Sequence, residues 1–575
     1  MNIKNTLQHK IAESLETAFD FKISEKEVHL ERPQDMSHGD WASNAAMTLA
    51  GKLKKKPREI AEEIKKTLET MSIENVDSID IAGPGFINFR LNNSYFQNNL
   101  KDLIKKKEYI GSGEDLKGKR IMVEFAHPNP FKAFHIGHLR NIILGESIIR
   151  LLKSQGAEVI RTNYQGDVGM HIAKSLWALK KIDPKDYPKD SDERVSLIGK
   201  SYAKGATAFE ENEETKQEIR EINKKIYSKE DPEINKLWEM GKKWSLDKFH
   251  EIYERVDSTF DREYMESETL ETCMGHIQRA KDKGILMESD GAVIFDGSAY
   301  GLDTRVFLNS EGLPTYEGKE LGLAYMEFSD FGKIDLCIHN VAVEQISFFK
   351  VTFKVEELLD PGIFKGKQYH NAYEFVGLKK GKMSSRKGNV VLGNEILNEA
   401  YEKVLKVVKG KKIAENSTET AEIIGVGAVK YSFLKISPFK YLAFDLEESL
   451  NFEGDSGPYI QYTYTRTQSI LKKATQNSEY DFNPETLVEK EETEVLKWLE
   501  RFDEVVSLAT RDYSPNFIAA YLFELTQKFN RFYKSVTVLN AEESEKNSRL
   551  ALVEVVGETI KKGLDLLGIK APEKM

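Results

Sequence analysis

The sequence predicts a multidomain α/β protein, with a small α+β domain at the N-terminus, a central doubly wound parallel sheet and an all-α bundle at the C-terminus. Three observations lead there. The chain has 575 residues, more than one hydrophobic core supports. Its middle alternates short β-branched runs with amphipathic helices, at the spacing of right-handed βαβ units. Beyond about residue 420 the strand patterns stop and helical periodicity takes over.

The expected boundaries are 1–115 for the first domain, 116–415 for the second and 416–575 for the third. In the first, Leu7, Ile11, Leu15 and Phe19 recur every four residues and mark a helix over 3–19. Strand-like pieces follow at Val28–Leu30, Val76–Ile81 and Gly85–Leu91, with helical stretches at Ala42–Leu53 and Pro57–Leu68. The basic run from Lys52 to Lys66, broken by Glu59, Glu62 and Glu63, is either a solvated helix face or a phosphate-facing patch. In the second domain, Ile121–Phe125 reads as a strand, and a long helix starts near Gly137 and stops near Gln155-Gly156. Glu158–Asn163 is the next strand. Residues 185–285 are charged and helical and read as an insertion. Strand patterns at Gly291–Phe295, Thr304–Leu308, Leu336–Ile338 and Phe375–Leu378 would complete the sheet. The helices expected in the third domain cover 420–436, 459–475, 488–510, 514–535 and 541–567.

Composition narrows the class but not the chemistry. Charged residues make up 31% of the chain, and no run approaches the roughly 18–20 apolar residues of a membrane span. Cys273 and Cys337 are too few for a disulfide framework or a cysteine-rich zinc site, which points to the cytoplasm. The net charge of 83 − 93 = −10 does not advertise a nucleic-acid partner, though a global sum leaves room for a local basic groove.

Two motifs carry chemistry. His135-Ile136-Gly137-His138 lies between a strand and the start of a helix, with Lys132 just before it. Two imidazoles at a helix N-terminus suit an anion, and Gly137 lets a nucleotide approach the backbone. The reaction this favours is displacement at phosphorus, where stabilising charge on the oxygens dominates. A metal-binding histidine pair, which lacks a third ligand nearby, and a purely structural helix cap are the alternatives. The second motif, Lys382-Met383-Ser384-Ser385-Arg386, packs cations into a Ser/Gly loop fit to clamp a polyphosphate.

Together, in this order, the motifs resemble the HIGH and KMSKS signatures of the class I aminoacyl-tRNA synthetases, and within that class the arginyl-tRNA synthetase family. Gly39–Ala46, Pro84–Phe89, Val123–Phe125 with Pro128-Asn129, Asn163–Gly169, Gly457–Tyr462 and Leu566–Ile569 resemble the same family along nearly the whole chain. The resemblance implies a Rossmann-like catalytic domain, an N-terminal tRNA-binding domain and a helical anticodon-binding domain. It implies a cytoplasmic enzyme, with no membrane partner, acting as a monomer. It would use Mg2+-bound ATP to join L-arginine to tRNA(Arg) through an arginyl-adenylate, releasing AMP and pyrophosphate, with no resident metal.

By the same resemblance, Lys132, His135, Gly137, His138, Lys382, Met383, Ser384 and Arg386 hold ATP. Lys132, His135, His138 and Lys382 form the catalytic set. Ser385 stands where KMSKS has its second lysine, and Lys132 is expected to replace that cation. Asn129 and Gln345 would anchor the arginine amino end, and Tyr316, Glu320 and Glu266 would face the guanidinium. Glu320 departs from the aspartate usual in the family. Glu124 either contacts arginine or orients the loop. Phe86, Asn88, Tyr459 and Tyr462 are candidate tRNA contacts. A lysyl synthetase of the same class and a non-catalytic tRNA-binding paralogue are the competing readings.

Overall fold

A computed structural model describes residues 3–33, 35–379, 391–411, 417–474 and 482–575. The chain forms two compact units. One comprises Met1–Lys107, Gln476–Glu500 and Arg531–Val555; the other comprises Glu108–Thr475, Arg501–Asn530 and Val556–Met575.

The larger unit is built on a five-stranded sheet. Its elements, in chain order, are β1 (Arg120–Glu124), α1 (Ile136–Ser154), β2 (Glu158–Gln165), β3 (Arg262–Met265), α2 (Tyr316–Phe331), β4 (Leu336–Ala342), α3 (Ile346–Leu359) and β5 (Gln368–Tyr373). All strands run parallel, in the order β5-β4-β1-β2-β3. The chain winds outward from β1 to β3 and then returns to lay β4 against the other side of β1. That reversal opens a crevice at the carboxyl ends of β1 and β4, the place where doubly wound sheets bind ligands.

The sheet departs from the sequence-based expectation in three places. Arg262–Met265 lies within the segment read as a helical insertion, yet it pairs with Thr162–Gln165 and forms an edge of the sheet. Ala292–Phe295 and Arg305–Leu308 join Met287–Ser289 in a separate antiparallel sheet, and Val376–Leu378 pairs, among the described residues, only with Leu442–Phe444. The place expected for Phe375–Leu378 is taken by β5, whose Gln, His and Asn residues hide the strand pattern.

Helix α1 is nearly all buried, with Leu139, Ile142, Ile148 and Ile149 at 0% exposure. Gly145 is required by close approach, since a Cβ there would come within 2.6 Å of the Phe125 side chain. A ladder of buried asparagines fastens α1 across the switch point. The Asn141 amide donates to the Asn340 carbonyl (3.0 Å), Asn340 donates to Asn141 Oδ1 (3.0 Å), and Asn371 donates to Asn340 Oδ1 (2.9 Å). Helices Ser191–Glu211, Glu213–Ser228 and Pro232–Arg255 close a second core, in which Ile198, Ile219 and Trp238 pack with Val168, Ile172 and Phe131.

In the smaller unit, four short antiparallel strands pack with helices Ile3–Phe19, Ala45–Leu53 and Pro57–Thr70. The helix expected from Ala42 starts at Ala45, because Trp41–Ser43 pair instead with Ile87–Phe89. Asn88, expected to face tRNA, is only 4% exposed. It lies between Ala42 and Asp80 on the neighbouring strands and offers no surface to a base. Phe86 is half-buried. The basic residues Lys52, Lys54, Lys55, Lys56 and Arg58 are exposed, and Lys56 and Arg58 lie near Glu59 and Glu62. Among the helices near the C-terminus, the one expected over 488–510 is two, Lys490–Leu499 and Phe502–Arg511.

Candidate active site

The loop after β1 carries the first motif, and its backbone is unusual. Ala126 (φ 79°), His127 (φ 51°) and Phe131 (φ 65°) are left-handed, at about 1–2 kcal/mol each for residues with a Cβ. Specific bonds hold them there. The Ala126 N–H donates to Asn141 Oδ1 (2.8 Å), the His127 N–H to Asn163 Oδ1 (3.1 Å) and the Phe131 N–H to Ser245 Oγ (3.0 Å). Phe131 itself is fully buried in the helical core, where a Cβ on Gly241 would meet its ring at 2.3 Å. The segment 185–285 thus braces the catalytic loop.

His135 caps α1. Its Nδ1 accepts from the backbone N–H groups of Gly137 (3.1 Å) and His138 (3.4 Å), while its own N–H donates to His138 Nδ1 (3.2 Å). The two rings stack with centroids 3.7 Å apart. Since both Nδ1 atoms act as acceptors, each neutral ring carries its proton on Nε2. Burial, then the charge of Lys132, lowers the pKa of His135; burial, then His135, pushes His138 well below its usual value. The pair therefore offers two neutral N–H donors, and Lys132 and the helix N-terminus supply positive potential. Gly137 has a second reason to be glycine, because a Cβ would come within 2.9 Å of His135 Cε1.

A second group of residues meets at the carboxyl ends of β1 and β4. Glu124, Glu320 and His339 are 2%, 4% and 0% exposed. His339 Nδ1 lies 3.4 Å from Glu124 Oε1 and 3.8 Å from Glu320 Oε1. Glu124 Oε2 and Glu320 Oε1 are buried and have no hydrogen-bond partner among the described residues. Burial opposes ionisation of Glu124, but the charge and hydrogen bond of His339 hold its carboxyl below the usual range; burial and then Glu124 push Glu320 well up. Unmatched carboxylate oxygens are costly inside a protein. A cation with its own hydrogen-bond donors would satisfy both.

Beside them, Asn129 Oδ1 accepts from the Gly166 N–H at 2.7 Å. A Cβ on Gly166 would lie 3.0 Å from both Asn129 Oδ1 and Glu266 Oε1, so glycine lets these groups converge. Glu266, expected to face the guanidinium, is instead in a buried ion pair with Lys319 at 2.5 Å. Its charge is already matched, which removes it from the set of unpartnered carboxylates. Tyr316 begins α2 and is 65% exposed, with Lys319 Nζ 4.7 Å from its ring centroid. Gln345 is exposed in the turn from β4 to α3.

Sequence reasoning missed Tyr164, His171, Lys319, His339, Gln368 and Glu356. The Tyr164 hydroxyl and His171 Nε2 are buried without hydrogen-bond partners among the described residues. Burial, Glu266 and Glu320 push the Tyr164 phenol well up, and burial with Lys132 pushes His171 down to about 3. The usable signal for His339 was its position: it follows Cys337-Ile338 on a strand that is otherwise apolar up to Asn340.

Lys382, Met383, Ser384 and Arg386 lie outside the described residues. The chain after them is anchored to the first motif, since Leu392 forms a bridge with His135, and Ile136 N–H donates to Val391 O (2.9 Å) and Gly393 N–H to Phe134 O (2.9 Å). Of the candidate tRNA contacts near the C-terminus, Tyr459 accepts from the Asn530 amide (2.9 Å) and is half-buried. Tyr462 is 42% exposed, with the Arg466 guanidinium 5.0 Å from its ring centroid.

Comparison with known proteins places this geometry. The catalytic-domain model of class I tRNA synthetases (R) matches residues 99–445, the arginyl tRNA synthetase N-terminal domain matches 5–91, and the DALR anticodon binding domain matches 460–575. An arginine–tRNA ligase of Streptococcus suis is 34% identical over 558 residues, covering 95% of each chain. One from Treponema denticola is 33% identical over 598 aligned positions, covering 100% of both. The arginyl-tRNA synthetase of Thermus thermophilus superimposes with a TM-score of 0.82 at 26% identity, covering 100% of both chains. With three domain models, full-length relatives and a full-length fold in agreement, the chain belongs to the arginyl-tRNA synthetases, class I enzymes that use ATP to ligate arginine to tRNA.

Proposed function

We propose that this enzyme binds the arginine guanidinium between Glu124 and Glu320, and the phosphates of Mg2+-bound ATP over His135, His138 and Lys132. The observation that carries this reading is the pair of buried, unpartnered carboxylate oxygens, Glu124 Oε2 and Glu320 Oε1. A planar fork of N–H donors matches two converging carboxylates, whereas a lysine ammonium leaves part of the fork unpaired. Asn129, with Gln345, serves the amino end, and the Glu266–Lys319 pair shapes the wall beside Asn129 and Tyr316.

An oxygen of the arginine carboxylate then attacks the α-phosphorus. The bond to the bridging oxygen breaks, and pyrophosphate leaves. The nucleophile is already an anion, so no base is required; the Nε2–H donors of His135 and His138 and the Lys132 ammonium act on the phosphate oxygens. Lys132 takes the place of the lysine replaced by Ser385, together with Lys382. In the second step the 2′-hydroxyl of the terminal tRNA adenosine attacks the arginyl carbonyl, and AMP leaves. Tyr462, with Arg466 against it, is the exposed aromatic best suited to stack on a base. The enzyme acts in the cytoplasm as a monomer, and the two buried, unbridged cysteines support the reducing compartment.

Glu124→Gln tests the pocket. It keeps the shape and removes one charge of the fork, so the arginine KM in tRNA charging should rise roughly 10- to 100-fold, with the ATP KM unchanged. An unaltered arginine KM would place the guanidinium elsewhere.

A further inference from the structure

Behind the two carboxylates lies a polar chain of His339, Gln368 and Glu356. His339 sits on β4 with its ring against both Phe349 (5.0 Å) and Phe353 (5.1 Å) on α3. Its Nε2 is 2.9 Å from Gln368 Oε1 on β5, and the Gln368 amide nitrogen donates to Glu356 Oε2 on α3 at 2.8 Å. In this orientation Gln368 presents an oxygen to His339, and Nε2 carries the hydrogen of that contact. Nδ1 then faces Glu124 and Glu320 directly. As a bare lone pair it would oppose two carboxyl groups; with a hydrogen it donates to Glu124, and the ring is an imidazolium.

The other ionisable groups around the ring leave that charge in place. Cys337, one alternation back on β4, has its thiol pushed up to about 12 by burial and is neutral. Glu356 is pushed up to about 8 by burial, against the pull of Gln368 and His339. Glu327 on α2 is pushed well up by burial and by Glu124, and accepts from Thr162 Oγ1 at 3.3 Å. His370 on β5 is pushed down to about 4 by burial and donates to the Val341 carbonyl (2.8 Å). His127, in the loop after β1, is lowered by burial and has Nε2 3.8 Å from Glu124 Oε1. Glu124 is the anion that matches His339, and Glu320 is the carboxyl left over.

We propose that His339 is a positioning residue of the arginine pocket: a cation held from behind by Gln368 and Glu356, it keeps Glu124 and Glu320 converged on the guanidinium site. Charge balance follows. The empty cluster of Glu124, His339 and protonated Glu320 is neutral, and the entering guanidinium displaces the proton from Glu320. Arginine therefore binds better as pH rises. Without the imidazolium nothing holds the Glu124 carboxyl below its usual range, so burial drives it toward its protonated form as well and the charge that faces the guanidinium is lost.

The inference rests on the pocket assigned above, and tRNA charging by the full chain tests both. His339→Gln should raise the arginine KM at pH 8 by about 10- to 100-fold with kcat and the ATP KM little changed, and it should move the pH dependence of the arginine KM to higher pH. Gln368→Met, which frees the ring and removes the donor to Glu356 Oε2, should move both readouts the same way and less; it carries the test if His339→Gln does not fold. An arginine KM unmoved in both variants, a loss confined to kcat, or a pH profile parallel to the wild type overturns the proposal. Glu124→Gln separates the two failures. If it raises the arginine KM and the His339 and Gln368 variants do not, His339 is only a core residue; if it has no effect, the pocket assignment itself falls.

Discussion

The two ends of the proposed active site are made differently. The ATP end is local: His135 and His138 cap their own helix, lock each other's tautomer through backbone bonds and stack. The arginine end is assembled from afar, with Glu124 on β1, Glu320 on α2, His339 on β4, Glu356 on α3 and Gln368 on β5. A local site depends on a few torsions and can be spelled out in four consecutive residues. A dispersed one depends on the sheet topology that brings β4 beside β1, and on every buried charge being matched. The first should fail in rate, and the second in affinity.

Substitutions can break that distinction or sharpen it. The largest effect is expected for His138→Ala, which removes an Nε2–H donor and the acceptor that fixes the His135 backbone; kcat for charging should fall ~10²- to 10³-fold while the arginine KM holds. A rise in the arginine KM would show that the two ends are not separate. Lys132→Ala comes next, with a loss of about tenfold or more in tRNA-dependent pyrophosphate exchange, at least as large as that of Lys382→Ala. If exchange is untouched, the missing cation has been assigned to the wrong residue. The mildest contrast is with pH. Across the working pH range the arginine KM should fall as pH rises, because burial and Glu124 raise the Glu320 pKa and binding expels its proton. Over the same range the imidazole pair, its pKa values already lowered, leaves the ATP KM flat.

The same contrast governs what could be read from the chain. β1, α1 and β2 declared themselves through apolar periodicity and the Gln155-Gly156 stop, and the first motif through its histidines. β3 did not, because Arg262-Glu263-Tyr264-Met265 is four residues long, half of them charged, and stands beside long helices. β5 was hidden because Gln368, His370 and Asn371, each hydrogen-bonded to neighbouring elements, put polar side chains where a strand pattern expects apolar ones. The strands between 287 and 308 were visible as strands, but local pattern does not say which sheet a strand joins. Within the site, Glu124, Asn129, Tyr316 and Glu320 were reached through family resemblance. The partners that set their charge, His339 and Lys319, come from elements that only the fold brings alongside. Glu266 shows the cost of missing them: as an isolated acid it looks available, whereas beside Lys319 it is spent.

Phe131 has a consequence for how such enzymes can be altered. Its ring is rooted among the helices of 185–255, while its neighbours Asn129 and Lys132 are the residues proposed to hold arginine and ATP. The helical segment and the loop are therefore one inheritable module. A chimera that takes those helices from a relative must bring along the matching plug residue, or the reactive loop loses its footing although none of its own letters has changed.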